Sequence, residues 1–125
     1  MMTMPHKGTH EQAFVVCLDV AQTAVERKQE PSILISLAYY ESRFDPNAVS
    51  KRGAFGPLQV MRRFWTGHPV EAGLDAWEHW RGKALSDRQG LAHYNAGRNP
   101  GPKAFRFADR VLGLAEKIRG WAGVG

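Results

Sequence analysis

The sequence predicts one mainly helical domain built around a buried central helix, with at most a small β element. Three observations predict it. Apolar residues recur at helical spacing over most of the 125-residue chain. One segment, Ile33 to Tyr40, is apolar on nearly every face, as a central helix must be. Glycine, proline and short alternation cluster only between residues 45 and 60. A chain of this length holds one domain with its own core.

Residues 1–8 show no periodicity and read as a flexible leader to a domain spanning 9–125. Thr9 and Gln12 have the form of a capping box, so the first helix starts there and runs to about Lys28. Its expected buried stripe is Phe14, Cys17, Leu18, Ala21 and Val25. Pro31 suits the first turn of the central helix, which ends near Ser42 to Phe44 because Pro46 disfavours helical geometry at Asp45. Gly53 and Gly56 mark turns, and Leu58, Gln59 and Val60 alternate as one or two brief strands would. Pro69 opens a third helix, with Val70, Leu74 and Trp77 on one face and Glu71, Asp75 and Glu78 on another. Ser86 and Gln89 repeat the capping-box pattern for a fourth helix that stops at Gly97. The last helix carries Ala104, Ala108, Val111, Ala115 and Ile118 as its inner stripe.

Composition narrows the function. No apolar run approaches the roughly 18 residues of a membrane span. The stretch Ala13 to Ala21 is broken by Asp19 and lacks a cleavage site, so no export signal is expected. Cys17 is the only cysteine, which excludes an internal disulfide and reads as a small core hydrophobe. No CxxC or HExxH spacing occurs and the five histidines show no ligand spacing, so no metal site is expected. The net charge of +5 and pI near 9.7 favour a polyanionic partner: cell wall, anionic lipid or nucleic acid. The nucleic-acid reading rests on Lys103, Arg106, Arg110, Lys117 and Arg119, although a charged helix face is more often merely solvated.

Glu41 is the most informative residue. It shares a stripe with Leu34, Leu37 and Ala38, and so points toward apolar surroundings. It also lies in the last helical turn, where carbonyl groups present partial negative charge. Desolvation and that dipole both raise a carboxyl pKa, which suits a general acid. The competing reading is a helix-end glutamate paired with Arg43, Arg52 or another base.

The run from Glu41-Ser42-Arg43-Phe44-Asp45-Pro46-Asn47 to Ser50, followed by Gly53-Ala54-Phe55-Gly56-Pro57-Leu58-Gln59-Val60-Met61, resembles the first two motifs of the lytic transglycosylase family, the SLT-type domain. Tyr94-Asn95-Ala96-Gly97 resembles the third. The resemblance runs from about Pro31 to Ile118. Pro57-Leu58, Arg62 and His93 depart from common family residues without touching the acid.

That resemblance implies a lysozyme-like fold that cuts the glycan strands of bacterial peptidoglycan and needs no cofactor; a monomer is expected. It implies Glu41 as the acid, Ser50 as a polar neighbour of the reacting sugar, and Gln59, Tyr94 and Asn95 as cleft-lining substrate contacts. The bland alternatives are a solvated Gln59, a core Tyr94 and an Asn95 that only helps stop its helix. With one acid, the implied product is a 1,6-anhydro-N-acetylmuramic acid end. Hydrolysis on the same fold, as in goose-type lysozymes, is the alternative. The expected place of action is the periplasmic cell wall, reached from a phage or through a secretion system.

Overall fold

The computed structural model describes residues 8–123. The leader expected over residues 1–8 lies outside them except for Gly8. Five helices and one two-stranded sheet are present among the described residues, which is the mainly α class with a small β element.

The first helix, α1 (His10–Glu26), begins as its sequence implies. Thr9 Oγ1 accepts from the Gln12 amide at 3.1 Å, and Gln12 Oε1 accepts from the Thr9 amide at 3.0 Å. Its buried face differs from the expected stripe. Ala13, Val16, Val20 and Ala24 face the core, whereas Phe14, Leu18 and Val25 are 63%, 45% and 62% exposed. The helix carries two apolar stripes, and periodicity cannot choose between them. The stripe with alanine at both ends is the one packed against its neighbours. Cys17 sits at the border, partly buried, and burial raises its thiol pKa.

Helix α2 (Pro31–Ser42) starts with Pro31 in the first turn and with Glu30 accepting from the Ser32 amide. Leu34, Leu37 and Ala38 are fully buried, and α2 packs between α1 and α5 (Pro102–Gly123). Ser36 donates to the Val111 carbonyl at 2.6 Å, so that fully buried hydroxyl is satisfied. From α5, Ala104, Ala108, Val111 and Ala115 are buried as expected, with Ile118 partly so.

Strands β1 (Ala54–Phe55) and β2 (Val60–Met61) form an antiparallel hairpin, with Ala54 opposite Met61 and Phe55 opposite Val60. Gly56 turns at φ +79, and a Cβ there would stand 2.8 Å from Pro69 Cβ, so glycine lets the hairpin sit on the next helix. That helix, α3 (Pro69–Gly82), buries Val70, Leu74 and Trp77. Its acidic face is not simply solvated. Arg27 reaches Glu71 at 3.1 Å, Asp75 at 2.5 Å and Glu78 at 2.8 Å, clamping the end of α1 to α3.

Gly73 holds the hairpin loop close. A Cβ at residue 73 would come within 2.6 Å of Leu58 Cβ. Helix α4 (Asp87–Ala96) is capped by Ser86, which accepts from the Gln89 amide at 3.1 Å. The expected reciprocal bond is displaced by one residue, because Gln89 Oε1 accepts from Leu85 rather than from Ser86. Gly97 ends α4 at φ +81.

Candidate active site

The site grows from the end of α2. Arg43 and Phe44 both adopt left-handed backbone, at φ +54 and +61, and turn the chain sharply out of the helix. Such geometry costs a non-glycine residue about 1–2 kcal/mol, so packing must hold it. Arg43 is held by Tyr39, whose ring lies 4.3 Å from the guanidinium carbon. The single hydroxyl hydrogen of Ser42 is shared between the carbonyls of Ala38 at 3.1 Å and Pro57 at 2.8 Å, tying the helix end to the hairpin loop.

Glu41 therefore stands between a buried helix face and that loop. Among the described residues it forms no ion pair or hydrogen bond, and Arg43 is engaged with tyrosine instead. The ion-paired reading of Glu41 is thus not what the structure contains. Burial pushes its carboxyl pKa up to about 8, so the group is largely protonated at neutral pH.

Glu41 opens into a hollow of about 350 Å³ with Tyr40, Arg43, Asp45, Val49 and Gln59, a volume typical of small-ligand sites. A second hollow of about 230 Å³ shares Gln59 and is walled by Trp65, Trp80, His93, Tyr94 and Asn95. The two hollows meet at Gln59. Its backbone is left-handed at φ +50, and its side-chain nitrogen donates to Ala48 at 3.1 Å and Gly56 at 2.9 Å. Both amide hydrogens are engaged, so Oε1 is the atom left to meet a ligand.

Tyr94 walls the second hollow. Its hydroxyl donates to the Leu58 carbonyl at 2.5 Å. Its pKa is raised, first by burial and then by the Glu41 charge. Asn95 is exposed and lines only the second hollow. Ser50 borders neither of them. Its hydroxyl accepts from the Ala54 amide at 3.0 Å and holds the turn that leads into β1.

Two features take a placement that the sequence leaves open, since the turn at Pro46 makes the direction of Asp45 unpredictable and any of Trp65, Trp77, Trp80 and Trp121 could stack on sugars. Asp45 lines the same hollow as Glu41, and its Oδ1 accepts from the Asn47 amide at 2.9 Å. The second is an aromatic row: Trp80 stacks on His93 at 5.6 Å and 5°, and His79 meets Trp80 and Trp65 edge-on. Trp77, in contrast, is a core residue whose indole donates to Gln29 at 2.9 Å.

Asp75 and Glu78, on the polar face of α3, are tied to Arg27 and line neither hollow. Lys103, Arg106, Arg110 and Lys117 are exposed along α5, while Arg119 donates to Ser32. No described helix is long and apolar enough to cross a membrane.

The family model of the transglycosylase SLT domain matches residues 20–71, a span that contains Glu41, Ser50 and Gln59 and stops before Tyr94 and Asn95. No curated protein and no solved structure matches the chain. That match supports a lytic transglycosylase-like, lysozyme-like family and, with it, peptidoglycan as the substrate class.

Proposed function

We propose that the chain is a lytic transglycosylase that cleaves the β-1,4 bond between N-acetylmuramic acid and N-acetylglucosamine, with Glu41 as acid and then base. The observation that carries this reading is an unpaired, partly buried carboxyl with pKa near 8 at the meeting of helix end and cleft. A neutral Glu41 protonates the leaving glycosidic oxygen. The substrate's own acetamido group stabilises the cationic sugar carbon. The resulting carboxylate then takes the proton of the muramyl C6 hydroxyl as that oxygen attacks the same carbon, closing the 1,6-anhydro ring. The tethered nucleophile gains from proximity and needs no positioned water.

In this reading Gln59 accepts a hydrogen bond from the sugar through Oε1, and Tyr94 walls the reacting position beside Glu41. Asn95 contacts the strand farther along the second hollow. Ser50 acts by shaping the turn that carries the hairpin toward the sugar. The basic surface draws the protein to an anionic wall.

Replacing Glu41 by glutamine should reduce wall lysis by about 10²- to 10⁴-fold while the circular dichroism spectrum stays that of the parent. A folded variant with near-parental lysis would refute the role.

Hydrolysis is the second reading, and the location of Asp45 favours it. A carboxylate in the Glu41 hollow is placed to hold a water for attack. Asp45→Asn should leave a transglycosylase active and should silence a hydrolase that depends on that base.

A further inference from the structure

We propose that Arg62 binds a carboxylate of the acidic stem peptide borne by the muramyl sugar, in a third hollow beside the Glu41 cleft. The inference rests on the proposed cleavage site, because the sugar held at Glu41 is then the one that carries the peptide. The third hollow has a volume of about 250 Å³ and is lined by Asn47, Ala48, Val49, Phe55, Arg62 and Pro69, among others. It borders the Glu41 hollow along Ala48 and Val49, which line both.

Arg62 is the one charged side chain among the residues lining this hollow. Its guanidinium carbon lies 3.9 Å from the centroid of the Phe55 ring, a cation–π contact. Phe55 is 3% exposed and paired with Val60 in the hairpin, so the ring is a fixed support. A guanidinium carries its five N–H donors around its edge, in a fork that matches a carboxylate. Arg27, Arg81 and Arg88 each use that fork on a carboxylate of this chain. Arg62 forms no ion pair or hydrogen bond among the described residues, so its donors stay available to a ligand. The exposed Asn47 adds a carboxamide that can both donate to and accept from peptide groups.

The second hollow has different chemistry. Trp65, Trp80 and His93 wall it, and no lysine or arginine does. Its aromatic surface suits the apolar faces of sugar rings, whereas a lone guanidinium suits an anion. Strand and branch thus take separate walls. The glycan passes Gln59 into the aromatic hollow, and the peptide leaves the muramyl unit past Val49 toward Arg62. Two extended residues span about 7 Å, which brings a carboxylate early in the peptide within reach of a hollow bordering the first. Arg62 departs from the residue common at its position in the family, so this contact is a property of this chain.

The test compares binding of soluble glycan strands with intact peptides and of the same strands after their carboxylates are converted to carboxamides. With the peptide attached, the lactyl carboxyl is already an amide, so only peptide carboxylates change. Calorimetry on the Glu41→Gln protein, at fixed ionic strength, reads the affinities without consuming the strands. The carboxylate strands should bind about fivefold more tightly, as expected of one bidentate ion pair at an accessible site. Arg62→Gln in that background should abolish the preference. Arg62→Lys should keep part of it, since a point charge lacks the planar fork. Lys103→Gln removes an equal charge from α5 and should leave the preference in place. In the otherwise parental protein, Arg62→Gln should raise KM for peptide-bearing strands about fivefold while kcat changes less than about twofold. Equal binding of the two strands by the protein with Arg62 intact would overturn the proposal. So would a preference that survives Arg62→Gln, or one that falls as far with Lys103→Gln. Failure of the parent to lyse walls would refute the cleavage reading, and the binding comparison would still decide this one.

Discussion

Replacing Glu41 by glutamine should make the protein more stable as well as inactive, by an amount that depends on pH. The carboxyl pKa rises from an ordinary 4.5 in the unfolded chain to about 8 in the fold. Between these values the unfolded chain ionises and the folded one does not. The stability contributed by the neutral group is therefore fully present below pH 4.5 and is lost as pH climbs toward 8. Each pH unit in that window corresponds to about 1.4 kcal/mol, which gives about 3 kcal/mol at pH 7. Relaxation and water entry reduce such penalties in real sites, so about 2 kcal/mol is expected. Glutamine has a similar volume and no charge to desolvate, so it escapes the penalty. For a chain of this size that difference corresponds to about 5–10 °C in Tm. Urea unfolding of both proteins from pH 4.5 to 8 reads it directly. The gap should widen steadily and then level off above pH 8. A gap that is constant with pH, or a variant less stable than the parent at pH 7, would show that Glu41 is not held in a desolvating site.

Further outcomes follow from the same geometry. Wall lysis should fall as pH rises through about 8, because the proton donor is lost; a turbidity assay from pH 6 to 9 at fixed ionic strength reads it, and unchanged rates would contradict the assignment. Arg27→Ala leaves Glu71, Asp75 and Glu78 facing one another without their cation, and should cost about 1–2 kcal/mol in urea unfolding, with part of the loss recovered in high salt. Gly73→Ala forces Leu58 away from α3, and should cost about 1–3 kcal/mol while lowering activity, because Leu58 carries the carbonyl that Tyr94 binds. Adding salt should weaken sedimentation of the protein with isolated walls, since a +5 chain is attracted partly by charge.

Much of this architecture is written in local signals. The Thr9–Gln12 box, Pro31 in the first turn of α2 and Gly97 after α4 each fix an element end by short-range chemistry. The desolvation of Glu41 was legible from its place on the Leu34–Leu37–Ala38 stripe, whereas choosing it over an ion-paired glutamate took the motifs around it. What was not legible required three-dimensional arrangement. Helix α1 has two apolar stripes, and only its packing partners decide which one is buried. Asp45 reaches the Glu41 hollow because Arg43 and Phe44 take left-handed backbone, and neither residue type announces that. Gln59 lines both hollows, and its left-handed turn and the two carbonyls holding its amide follow from the hairpin. Ser50 belongs to a motif, yet its hydroxyl is engaged with Ala54, a bond that motif spacing cannot reveal.

The central claim is that one acid, Glu41, suffices because the substrate supplies its own nucleophile. Mass spectrometry of muropeptides released from purified walls by the parent protein tests that claim most directly, with borohydride reduction before analysis. The account predicts products ending in 1,6-anhydro-N-acetylmuramic acid, one water lighter than hydrolytic ends and unchanged by borohydride. Products that carry only reducible N-acetylmuramic acid ends would contradict it.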